Sequence, residues 1–333
     1  MQTETFITIR HFYIAIILFA GLILVLISLM LYMMQQKKRK AARQKQLQAL
    51  FKDWLVDIIL QETAEPHHHF EVPEAFRSLL HQPFARKGLL YELLRLKTNL
   101  TGQSGSNLVK LYAQLQLANI SAHKMRDKRW YRKAKGIQEL AVMEQQQYAG
   151  EISTLINHRH PIVRMEAQIA LVFLQQYEGL RFFENLVYPL TEWHQIKLLQ
   201  LLAPEPIPSE QIILNWLGSE NPSVVQFTLK LIGEQHASHF QPQVIACLGH
   251  PDEAVRQQAI TCLAEIPSAP AATALRNLYH SESNKSLQMT ILTGLMKTGT
   301  MHDLPFLQEL QTAPDEGIRF AADKTIRHLQ EQA

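Results

Sequence analysis

The chain has 333 residues, 47% of them hydrophobic, so it is long and apolar enough to bury a sizeable core. Its net charge of +3 hides a polarity along the sequence: residues 1–150 carry 21 Lys and Arg against 11 Asp and Glu, whereas residues 151–333 carry 12 against 19. Two cysteines, Cys247 and Cys262, exclude a disulfide-stapled secreted scaffold and fit a reduced compartment.

Taken in chain order, residues 1–11 form a short N-terminal stretch ahead of an apolar run, Phe12 to Met34, with no charge and no proline. Its 23 residues would span about 34 Å as a helix, enough for a hydrocarbon core of about 30 Å. A cleaved signal peptide would need a shorter apolar core and a small-residue cleavage site; here the run ends in a basic juxtamembrane segment, residues 35–45. Arg10 alone precedes the run, and Lys37, Lys38, Arg39, Lys40, Arg43 and Lys45 follow it. The positive-inside rule then expects the N-terminus outside and everything after residue 35 in the cytoplasm. No acidic or basic residue lies within the span, which argues against ion transport through it.

Residues 46–120 read as a helical linker domain. Leu47, Leu50, Phe51, Trp54, Leu55, Ile58 and Ile59 follow the spacing of one helix face, and that helix is expected to continue from the span. A further helix starts at Pro73-Glu74, Leu89 to Leu96 carry another, and a Gly/Ser loop at Thr101–Ser106 precedes a helix from Asn107. His67-His68-His69 reads as loop, because adjacent side chains diverge and no second ligand pair accompanies them.

Residues 121–333 read as a solenoid. Near its start stands a basic patch of Lys124, Arg126, Lys128, Arg129, Arg132, Lys133 and Lys135, set against Asp127 alone and holding Trp130 and Tyr131. It suits a protein partner or an anionic lipid surface, and equally the first helix of a degenerate repeat with Trp130 and Ile137 turned inward. Thereafter one phrase recurs. Aligning on Val163-Arg164, Ile196-Lys197, Val225-Gln226, Val255-Arg256, Leu287-Gln288 and Ile318-Arg319 gives spacings of 33, 29, 30, 32 and 31, and Gln200 alone breaks the apolar column three residues later. Glu178 to Tyr188 is expected to be the return helix of the first clear repeat. A period near 30 with two helical patterns and no strand pattern predicts an all-α superhelix, each unit burying its apolar face only against its neighbours.

The phrases from Pro251 to Ala259 and from Pro314 to Ala322 resemble the HEAT and HEAT-like repeat family. The whole arrangement is similar to membrane-anchored bacterial HEAT-repeat proteins. That resemblance implies paired antiparallel helices, a role in protein–protein scaffolding, and a structural use for the column arginines Arg164, Arg256 and Arg319 in tying repeats together. It implies no cofactor. The sequence has no nucleotide-binding glycine loop and no G-x-S-x-G, H-E-x-x-H or C-x-x-C motif, and Asn157 to His160 reads as a polar turn. The expectation is a non-catalytic adaptor held at the inner membrane by one span. Two alternatives stand beside it. A nucleic-acid binder resembling HEAT-like glycosylases is opposed by the −7 balance of residues 151–333; a HEAT-like lyase subunit would be revealed by a bound small ligand.

Overall fold

A computed structural model describes residues 9–62 and 68–331; residues 1–8 of the expected N-terminal stretch, and His67, lie outside the described residues. Among the described residues there are α-helices and 3-10 turns and no strand. The chain divides into two compact units, one through His123 and one from Lys124.

The first unit is organised by α1 (Ile9–Leu60), a single helix of 52 residues, about 78 Å long at 1.5 Å per residue. Its Phe12–Arg39 portion is long and apolar enough to cross a membrane, and none of the described residues covers it. The same helix then buries Phe51, Trp54, Leu55 and Ile58, the face anticipated from their spacing, while Leu50 stays exposed. Against these pack α2 (Glu74–Leu80), α3 (Pro83–Lys97) and α4 (Gly102–Gln114). Phe76 meets Phe51 and Trp54 with ring centroids 5.2 and 5.3 Å apart, and the Trp54 indole donates to the Glu71 carbonyl at 3.1 Å. The expected loop at Thr101–Ser106 is instead the first turn and a half of α4. Its polar residues serve the helix before them: Ser104 donates to the Ile59 carbonyl, and Asn107 to those of Ile58 and Gln61. They satisfy the carbonyls that the end of α1 leaves without intrahelical partners.

After α5 (Ala118–Met125), the second unit stacks a series of first helices: α6 (Trp130–Val142), α8 (Pro161–Gln175), α9 (Glu192–Leu202), α11 (Pro222–Glu234), α13 (Glu253–Glu265), α15 (Lys285–Thr298) and α17 (Glu316–Glu331). Each but the last is followed by a second element, shorter than its partner except for α14, which equals α13 in length: α7 (Ala149–Ser153), a 3-10 segment Gln176–Asn185, α10 (Glu210–Leu217), α12 (Gln241–Ala246), α14 (Ala269–Ser281) and α16 (Leu304–Leu310). The helix starts correct the register. Thr191, Asn221, Asp252 and Asn284 each accept a hydrogen bond from a backbone N–H in the first turn, so they are equivalent N-caps. Counting three residues on from each cap aligns Val163, His194, Val224, Val255, Leu287 and Ile318, all buried, at spacings of 31, 30, 31, 32 and 31. The Ile196-Lys197 pair is therefore two residues out of phase and Val225-Gln226 one. Gln200 is an exposed residue outside the column, and Leu198 fills the place assigned to it. Eight residues beyond the first column stand Leu171, Leu202, Ile232, Leu263, Leu295 and Ile326, a buried seam of Leu and Ile through the whole array.

The return element of the first clear repeat is a 3-10 helix rather than an α-helix. α8 stops at Gln176, whose φ of 53° turns the chain sharply. A Cβ at Gly179 would collide with the Leu171 carbonyl, so glycine is what lets the segment lie directly on α8. Two other first helices, α6 and α11, end in a Schellman ring. Glu144 and His236 have φ of 53° and 49°, and the following N–H groups reach back to the Leu140 and Ile232 carbonyls, each at 3.0 Å.

Candidate functional site

The basic patch is only partly a surface. Lys124 is drawn into a pair with the buried Glu139 at 2.6 and 2.7 Å, and Arg126 makes a two-pronged pair with Glu151 at 2.8 and 2.7 Å. Arg129 and Arg132 share Asp127, at 3.1 and 2.6 Å. Hydrogen bonds from Arg129 hold the Asp127 carboxyl down at about 2. Lys133 donates to the Met125 carbonyl at 2.8 Å. Lys128 and Lys135 point outward, with no ion pair among the described residues. Seven cations in the sequence thus become a smaller exposed charge, because Glu139 and Glu151 lie one or two helical elements downstream and meet the patch only after folding. Trp130, which one of the two readings turned inward, is 42% exposed. One of its faces is stacked on His160 at 4.1 Å, so the ring is covered by a neighbouring turn rather than by the core. Asn157 in that turn bonds the Asn185 carbonyl and the Val187 N–H, which makes Asn157 to His160 a structural corner.

The three column arginines share one geometry. Arg164 donates to the carbonyls of His158 and Arg159, Arg256 to those of His250 and Pro251, and Arg319 to those of Ala313 and Pro314, at 2.8–3.3 Å. In each case the guanidinium closes the turn that delivers its own helix. The two internal arginines also reach the next turn: Arg164 lies 4.1 Å over the Tyr188 ring, and Arg256 pairs with Glu282 at 3.2 Å. Asn284 reaches back to Glu253 at 2.6 Å, and Lys285 pairs with Asp315, so the same side of the array carries polar ties from turn to turn.

The exposed sides of α9, α11 and α13 form a continuous groove, described by adjoining hollows of ≈ 610 and ≈ 310 Å³ that share Lys230, Glu234, Gln258 and Thr261. Glu192 and Glu265 stand along it, with Lys230 3.8 Å from Glu192 and Lys297 2.8 Å from Glu265. The Thr261 hydroxyl is committed to the Gln257 carbonyl, and burial pushes the Cys262 thiol, at the groove floor, up to about 12. The groove therefore offers apolar surface, hydrogen bonds and a mixed but acidic rim. Both cysteines are free thiols. Among the described residues no group of three or more His, Cys, Asp or Glu is placed to hold a metal ion.

Sequence reasoning missed one residue of consequence. His194 occupies a column held elsewhere by Val, Leu or Ile, it is buried, and neither its Nε2 nor the neighbouring Gln195 Oε1 has a hydrogen-bond partner among the described residues. Burial lowers its pKa to about 4. The signal that could have located it was the N-cap threonine three residues earlier.

Comparison with known proteins gives the HEAT-repeat family model matching residues 210–295 and 241–327. No curated protein matches the chain by sequence. Among solved structures, YibA of Escherichia coli aligns at 14% identity over 79% of this chain and 99% of its own, with a TM-score of 0.44. The complex of CpcE and CpcF of phycocyanin lyase from Nostoc sp. PCC7120 aligns at 13% identity over 82% of this chain and 92% of that one, TM-score 0.27. A designed armadillo repeat protein aligns at 13% identity over 76% and 97%, TM-score 0.25.

Proposed function

We propose that this chain, whose residues 210–327 are HEAT repeats, is a non-catalytic adaptor that crosses the inner membrane once and holds a protein partner on a cytoplasmic helical array. The observation that carries the reading is α1. An uncovered apolar stretch, Phe12–Arg39, runs without a break into the turns that bury Phe51, Trp54, Leu55 and Ile58. A helix of membrane-spanning length and a folded core thereby share one continuous element, which confines the cytoplasmic part to a thin layer and raises the effective concentration of any membrane partner. Lys37, Lys38 and Arg39 at its inner end favour the cytoplasmic orientation. The groove on α9, α11 and α13 supplies the gripping surface, and its carboxylates Glu192, Glu234 and Glu265 disfavour nucleic acid.

The test is purification of the tagged full-length chain from gently solubilised native membranes, after extraction with alkaline carbonate has established whether it is integral. A chain retained in the carbonate pellet, with its array cleaved by protease only after the membrane is opened, and a stoichiometric partner that survives high salt are the expected results. Release by carbonate removes the span. Recovery of the tagged chain alone removes the adaptor.

A further inference from the structure

A hollow larger than either part of the groove is a cleft on the side of the second elements. It lies between the 3-10 segment Gln176–Asn185 and α10 and measures ≈ 1160 Å³. It exists because the second layer is interrupted there. The 3-10 segment gives way to an extended stretch from Leu186, and α10 is only eight residues long. Phe183 and Trp216 line its floor, packed edge-on at 5.2 Å, and Phe227 backs Phe183 from the core at 5.1 Å.

Three further features distinguish this cleft from an accidental gap. Its rim, the corner before α9, is fixed by side chains of the corners on either side. Asn157 holds the Asn185 carbonyl at 2.7 Å and the Val187 N–H at 3.0 Å, Asn221 donates to the Leu186 carbonyl at 3.4 Å, and Ser223 accepts from the Leu190 N–H at 2.8 Å. Apolar surface is left open beside it, with Val187 70% exposed. Glu184 and Glu220, one from each wall, both exposed, have no ion pair among the described residues, whereas Glu282, Asp315 and Glu253 at other corners are tied to Arg256, Lys285 and Asn284. The volume exceeds that of an ordinary small-molecule pocket, about 300–1,000 Å³, and the site is an open trough. A prepared aromatic floor between two uncompensated carboxylates is complementary to apolar side chains flanked by cations, and the −7 balance of residues 151–333 adds to the same preference.

We infer that this cleft receives an extended protein segment bearing an aliphatic or aromatic anchor for the Phe183–Trp216 floor and Lys or Arg on either side for Glu184 and Glu220. The inference rests on the adaptor reading and names the chemistry of the partner at one place on the array.

The test uses full-length protein in detergent and fluorescence anisotropy of a labelled peptide, Gly-Lys-Lys-Leu-Phe-Leu-Lys-Lys-Gly. Its controls are the same peptide with Glu for Lys, and one with Gly-Ser-Gly for the apolar centre. Saturable binding of the first peptide is expected, weakened about tenfold or more by either control change and by Glu184→Lys with Glu220→Lys. Val187→Asp should weaken it as well, and the distant exposed pair Glu309→Lys with Glu331→Lys should leave it unchanged. All these positions are solvent-exposed, and unaltered circular dichroism would establish that the variants fold. No binding, or binding indifferent to Glu184 and Glu220 or to the apolar centre, overturns the assignment. Co-purification separates the two readings: a native partner retained undiminished by the double Glu→Lys variant leaves the adaptor standing and removes the cleft, whereas specific peptide binding without any native partner does the reverse.

Discussion

Two stretches of the second unit solve the same stacking problem differently. From Glu253 to Leu310 the repeats are regular: Val255 and Leu287 fill one column, Leu263 and Leu295 the seam, and Arg256–Glu282 and Asn284–Glu253 tie successive turns. From Glu192 to Leu217 the seam is kept by Leu202, and Leu198 fills the column four residues before it. The first column holds His194, its neighbour is Gln195 rather than Arg, and Pro204, Pro206 and Pro208 occupy the turn between α9 and α10. Regular repeats close their corners with charge-assisted contacts. The irregular one gives up those contacts, leaves two buried polar atoms unmatched, and borders both the groove and the larger cleft. A solenoid needs each unit to seal against its neighbours, so a unit that seals poorly is where surface becomes available for something else.

The regular stretch is most vulnerable at its seam. Leu263→Ala is expected to cost about 2–5 kcal/mol, because Leu263 is fully buried and the rigid stack can collapse onto the cavity only in part; urea denaturation of the full chain followed by circular dichroism measures it. A loss under about 1 kcal/mol would mean that the seam does not hold the array.

Acid should act on the irregular repeat. The His194 pKa is about 4 in the folded chain against 6.5 ordinarily, so below pH 6.5 the unfolded chain binds a proton that the folded chain refuses. Stability is therefore complete above about pH 6.5 and declines as pH falls toward 4, by roughly 3 kcal/mol over that window. His194→Leu, which makes the column regular, should remove that share of the acid sensitivity. Equal midpoint shifts in both proteins between about pH 7 and pH 4.5 would assign the sensitivity elsewhere.

Arg256→Ala removes two turn carbonyl contacts and leaves the largely buried Glu282 side chain without its guanidinium, an expected loss of about 1.5–3 kcal/mol. Arg319→Ala removes only the carbonyl contacts of the last turn and should cost less. Reversal of that order in thermal melts would show that the Glu282 pair adds nothing. At the small end, Ile196→Ser is expected to change stability by less than about 0.5 kcal/mol, since Ile196 is 45% exposed. A loss of about 2 kcal/mol or more would restore the register in which Ile196 fills the column.

How much of this was legible follows from where each signal resides. Helix starts are local: a proline in the first turn, or an Asp or Asn that accepts from the backbone two or three residues on, is readable within about five residues. The repeat period, the all-α class, the apolar run and the buried face of α1 were therefore all present in the one-dimensional pattern. Phase was harder. An exposed Ile and a buried His look reversed to any reading by hydrophobicity, and only the Thr191 cap and the burial of Leu202 settle that α9 begins where it does. Helix replaces the loop expected at Thr101–Ser106 for a related reason, since Ser104 and Asn107 are polar in order to cap the end of α1, 45 and 49 residues earlier.

Spacing and composition along the chain were enough for the solenoid, its period and a helix able to cross a membrane, because each of these is a local pattern repeated or sustained. Which charges remain on the surface was set by folding alone. Lys124 and Arg126 are neutralised by Glu139 and Glu151, 15 and 25 residues away, whereas Glu184 and Glu220 find no such partner among the described residues. A charge is cancelled by whatever folding brings within about 4 Å of it, and that distance is not a property of the sequence order.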